Sequence, residues 1–121
     1  MIEVKRTIMA LASEPEVQDK LFPDFACKGD ELVLEFDEAY RNIYEDVELS
    51  EAQKAELSKL DKFLEEHSGK NFESLYTDNS AIFTEPFWTD VRAVAKSIIT
   101  AMNWTYEEPK PSGAIYVGKS T

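Results

Sequence analysis

The apolar residues of this chain recur with a helical period, and that recurrence constrains the fold more than any other feature. Phe87, Trp88, Val91, Val94, Ala95, Ile98, Ile99 and Met102 fall within an arc of roughly 140° at about 100° per residue, wide enough for a helix at the centre of a core. Val4, Ile8 and Leu11 share one face of a first short helix. Val33, Phe36, Tyr40, Ile43 and Val47 step by 3, 4, 3 and 4, a helix pattern rather than the alternation of a strand. The local run Leu32-Val33-Leu34 leaves a strand as the alternative there. Leu57, Leu60, Phe63 and Leu64 form the apolar face of a further helix.

Start and stop signals punctuate these stripes. In Ser13-Glu14-Pro15-Glu16, Ser13 is the expected N-cap, Pro15 sits in the first turn where its missing N–H does no harm, and Glu16 completes a capping box. That second helix carries Val17, Leu21 and Phe22, and Pro23 stops it. Gly29 punctuates the connector and Asp30 is the expected cap of the third helix. Ser50 opens the fourth, with Gln53 as its box partner, and His67 with Gly69 closes it. Asn71 is read as the cap of one short turn containing Phe72, Leu75 and Tyr76, and 77–80 as turn chemistry. Thr84-Glu85-Pro86 opens the last helix. Pro109 and Pro111 end regular structure, leaving Ala114-Ile115-Tyr116-Val117 as a short strand or an extended tail. The expectation is an all-α domain over 1–108, a compact bundle of about five helices joined by short connections, followed by a non-helical tail over 109–121.

A chain of 121 residues is the size of one domain and buries roughly two-thirds of its unfolded surface. An apolar content of 43% argues against wholesale disorder. Cys27 is the single cysteine, so no intramolecular disulfide supports the fold. No apolar run reaches the ~18 residues of a membrane span. The first residues lack the basic start and unbroken apolar block of a secretory signal. A cytoplasmic location is expected.

The formal charge is -11, and it is unevenly spread. Residues 1–29 hold 5 acids and 4 bases, residues 67–121 hold 6 and 5, and residues 30–66 hold 13 and 4. The middle third alone therefore carries -9. Within it, Glu31, Glu35, Glu38, Asn42 and Glu45 step along the third helix as a spine opposite the stripe, and Asp46, Glu48 and Glu51 extend it. Like charges at this spacing cost roughly 0.2–0.5 kcal/mol per pair. The charge repels phosphate backbones and anionic lipid, so neither a nucleic-acid nor a membrane partner is expected. It serves either solubility or the docking of a basic protein.

Chemical motifs are sparse. Gly113-Ala114-Ile115-Tyr116-Val117-Gly118-Lys119-Ser120 has P-loop spacing, but that loop works through a following helix whose amides hold phosphate. Thr121 ends the sequence, so nucleotide binding is not expected there. His67 is the single histidine and lies near an apolar face, where packing and capping are expected of it rather than catalysis. Cys27 is expected to be an inert buried thiol. One Cys and one His cannot make a zinc site or a di-iron site. No metal, cofactor or catalytic residue is expected.

In type, though in no motif, the chain resembles bacterial immunity proteins and other toxin neutralisers: small, acidic, helical and without catalytic residues. The resemblance implies a non-enzymatic inhibitor or adaptor that docks a basic protein. The residues expected to carry that contact are Glu31, Glu35, Glu38, Glu45, Asp46 and Glu48, with Tyr44 as anchor. The alternative is a self-associating structural protein, its homodimer made through the loop 22–25 or the tail. An enzyme or small-ligand binder would need a deep pocket lined by Trp88 or Tyr40.

Overall fold

The computed structural model describes residues 2–43 and 48–110, with Ile2 described in its backbone alone. Among these residues there are seven α-helices and no strand: α1 (Ile2–Ala12), α2 (Pro15–Lys20), α3 (Lys28–Arg41), α4 (Glu51–Glu66), α5 (Glu73–Thr77), α6 (Ala81–Thr84) and α7 (Pro86–Ala101). A single 3-10 turn, Lys70–Phe72, precedes α5. The all-α class and the bundle are as expected. The helix number is higher than expected, because 73–84 holds two short helices, α5 and α6, where a single short turn was expected. Asn71 lies inside the 3-10 turn and caps nothing. Val47 and the segment 111–121, with its strand-like and P-loop-like runs, lie outside the described residues.

The helix α7 is central. It packs on α1 and α4, while α3 packs on α1 and α5, and α2 on α6. The α7 stripe is buried at Phe87, Trp88, Val91, Ala95, Ile98, Ile99 and Met102, with Val94 half-buried. It meets Ile8 and Leu11 of α1 and Leu57, Leu60 and Leu64 of α4 in one core. Each such fully buried aliphatic side chain contributes about 1.5–3 kcal/mol over leaving it in water.

Helix starts divide into local and non-local solutions. Ser50 and Gln53 form the expected capping box: Gln53 N–H donates to Ser50 Oγ at 3.1 Å, and Ser50 N–H to Gln53 Oε1 at 2.9 Å. Ser13 does not cap α2. Glu14 holds that position, with no side-chain bond. Ser13 still belongs to the end of α1, so its hydroxyl turns back and donates to the Met9 carbonyl at 2.7 Å. Asp30 does not cap α3 either. The helix begins at Lys28, after Cys27. Its first N–H is satisfied from across the fold, where Lys28 N–H donates to Asn79 Oδ1 at 2.9 Å and Asn79 Nδ2 donates to the Ala26 carbonyl at 2.9 Å.

Gly29 is therefore a helix residue, not a turn residue. A Cβ there would lie 2.7 Å from Trp88 Cζ2 and 3.0 Å from the Leu75 carbonyl oxygen. Trp88 Nε1 donates to that same carbonyl at 2.8 Å. This close approach fixes the rotation of α3. Lys28, Gly29, Leu32, Phe36 and Ala39 face inward, while Val33, Tyr40 and Ile43 of the expected stripe are half-buried.

Candidate docking face

The rotation of α3 decides which carboxylates reach solvent. Glu38 is exposed and Glu31 half-buried. Glu35 is not opposite the stripe as expected. It turns toward α1, where Arg6 Nη2 stands 3.6 Å from its carboxylate. Burial raises its pKa above the ordinary carboxylate value; Arg6 opposes that shift, and the charges of Glu31 and Glu38 add to it. A small cavity of about 20 Å³ beside it is lined by Arg6, Phe22, Pro109 and Lys110. Glu48 is exposed, whereas Tyr44, Glu45 and Asp46 lie outside the described residues. The structure thus gathers Glu31 and Glu38 at the outer side of α3 and removes Glu35 from it.

Three residues missed by the sequence reading complete that outer side. Asp30 is exposed, Asp37 half-buried, and Leu34 keeps 53% of its surface in water. Asp30, Glu31, Asp37 and Glu38 stand three or four residues from Leu34, the positions that neighbour it on a helix surface. The signal was present in Leu32-Val33-Leu34. Three consecutive residues span about 200° of a helix, so one of them must face away from the core. The nearby cation Arg41 is already engaged: its Nη2 lies 3.2 Å from Asp37 and 3.2 Å from Asp61 on α4. It ties the two acidic helices together and leaves Asp30 and Glu38 without an ion pair among the described residues.

Other polar groups are committed to the fold. Lys28, 2% exposed, places Nζ at 2.6 Å from Asp19 and 3.0 Å from Asp24. Burial alone would lower its pKa, but the hydrogen bonds and charges of the two aspartates reverse the sign and raise it. Arg92 is buried and donates through Nη1 to Gln18 Oε1 at 2.9 Å and to the Ile82 carbonyl at 3.1 Å. Burial draws its pKa down, and the charges of Glu14 and Glu16 oppose that. Gln18 in turn donates to the carbonyls of Ala10 and Leu11, both at 3.1 Å. These two networks fasten α2 and its following loop to the body.

His67 packs at the end of α4, as expected. Its Nδ1 lies 2.9 Å from the Phe63 carbonyl, and its ring packs between Phe63, Phe72 and Phe87 at centroid distances of 4.5, 5.3 and 5.2 Å. The Tyr76 hydroxyl donates to the His67 carbonyl, and burial together with the Asp30 charge pushes that phenol up to about 12. Cys27 is half-buried rather than buried. Trp88 is fully buried. An open cleft of about 380 Å³ between the end of α1 and α7 is lined by Ser13, Glu14, Lys96, Ile99, Thr100 and Tyr106. Its Ser13 hydroxyl is spent on Met9 and on Tyr106 Oη, 2.7 Å away, with no imidazole or thiol beside it. Among the described residues no cluster of three His, Cys, Asp or Glu could hold a metal ion, and no helix is long and apolar enough to cross a membrane. Comparison with protein-family models, with curated proteins and with solved structures finds no match to this chain.

Proposed function

We propose that the protein is a non-enzymatic binding module that docks a basic protein through the outer face of α3. It acts as an inhibitor of the immunity or antitoxin type, or as an adaptor. The observation that carries this reading is the charge left without an ion pair among the described residues at that face: Asp30 and Glu38 are exposed on α3 while the adjacent cation, Arg41, is held by Asp37 and Asp61. A face of one sign steers an oppositely charged partner, raises the association rate and makes it salt-sensitive. Affinity capture from the native host with a salt gradient tests this. The wild type retains a basic protein that elutes at intermediate salt, and Asp30→Lys/Glu38→Lys does not retain it. Identical retention by both proteins contradicts the reading.

Self-association is the second reading, favoured by one observation. In the loop between α2 and α3, Phe22 is buried but Phe25 is 69% exposed. Light scattering at high concentration decides it. A dimer that Phe25→Ser dissociates supports it, and a strict monomer removes it.

A further inference from the structure

We infer that Leu34 is the apolar anchor of this face, and that the face takes a basic amphipathic helix whose own apolar side chain is flanked by Lys or Arg a turn to either side. The inference rests on the acidic-face reading above and specifies the partner's chemistry. The other apolar residues of α3 are buried or half-buried against the body: Leu32, Phe36 and Ala39 fully, Val33 and Tyr40 partly. Leu34 alone among them is exposed, at 53%. Leucine among carboxylates suits an interface, in which a desolvated apolar centre holds the complex and a charged rim guides it in.

The rim also sets the partner's spacing. Asp30 and Glu31 precede Leu34 by four and three residues, and Asp37 and Glu38 follow it by three and four. Asp30 and Glu38, without an ion pair among the described residues, therefore place negative charge about one helical turn, or ~5.4 Å along the axis, to either side of the leucine, while Asp37 is paired with Arg41. A partner helix with one apolar residue and cations three or four positions before and after it presents the complementary pattern at the same pitch. Among the described residues α3 packs on α1 and α5, and Asp30, Leu34 and Glu38 on its outer side are exposed, which leaves room for such a helix to lie along it.

Two synthetic Ala-based helices test this against the full chain. One carries a central Leu with Lys or Arg three and four residues to each side; the other has Ser in place of that Leu. Binding is measured by titration calorimetry at low salt. The Leu peptide is expected to bind the wild type about tenfold or more tightly than the Ser peptide, the effect of burying one leucine pair. Leu34→Ala, checked for native circular dichroism, is expected to reduce the Leu peptide to the affinity of the Ser peptide. Asp30→Lys/Glu38→Lys is expected to weaken both. Equal binding of the two peptides, or a preference that survives in Leu34→Ala, overturns the anchor while salt-sensitive binding leaves the acidic-face reading standing. No binding of either peptide to the wild type overturns both.

Discussion

Gly29 shows how one residue orients the rest. Its missing Cβ lets Trp88 and the Leu75 carbonyl approach α3 more closely than any other residue would allow. Gly29→Ala is expected to destabilise by about 1–3 kcal/mol, the range for overpacking a filled core, although alanine is the better helix former by ~1 kcal/mol. Urea denaturation checks the sign. A gain in stability would mean that Trp88 can give way. In the sequence, Gly29 beside Asp30 reads as punctuation, because a close approach by residues far along the chain leaves no local trace. Glu35 carries a second expectation at this scale. Its pKa is raised in the folded state, so folding favours its protonated form, and its ionisation at neutral pH opposes stability. Glu35→Gln is expected to gain stability over wild type as pH rises through the carboxylate range, with the difference levelling off near neutrality. Thermal denaturation from acid to neutral pH measures this. A difference that shrinks with rising pH would mean that the Arg6 pair outweighs the burial.

At the scale of elements, what was legible in the sequence is what is satisfied locally. The Ser50–Gln53 box, Pro15 and Pro86 in first turns, and the α7 stripe all depend on neighbours within four residues or on one helical period. The start of α3 was misplaced because its cap, Asn79, is 51 positions away. Ser13 was misassigned because the end of α1 competes for it and offers a carbonyl four residues back. The same logic explains α3 itself. Periodicity fixed that it is a helix, but its rotation came from Gly29 against Trp88, and a small rotation exchanged Glu35 for Leu34 on the outer side. Asn79→Ala removes both the acceptor for Lys28 N–H and the donor to Ala26. It is expected to cost about 0.5–2 kcal/mol, as for loss of an N-cap, and to speed hydrogen exchange in the first turn of α3 more than in α4. Equal acceleration in both helices would show that Asn79 supports the whole fold and not that cap.

For the whole molecule, the placement of the net charge of -11 matters more than its size. The flanking thirds are close to neutral, while α3, α4 and their link carry the excess. Arg41 joins the two helices through Asp37 and Asp61, a surface ion pair that spans the acidic region. The interior cations do not offset it at the surface: Lys28 is buried beneath Asp19 and the exposed Asp24, and Arg92 is buried against Gln18. The central claim is that this surface, at Leu34, is where a basic helix docks. An amide shift map of the isotope-labelled full chain, titrated with the Leu-centred basic peptide at low and at physiological salt, tests it most directly. The expected result is a continuous set of shifts at Asp30, Leu34, Asp37, Glu38 and Arg41, smaller at the higher salt and absent in Leu34→Ala. Shifts centred on the cleft between α1 and α7, or none on α3 at either salt, would contradict it.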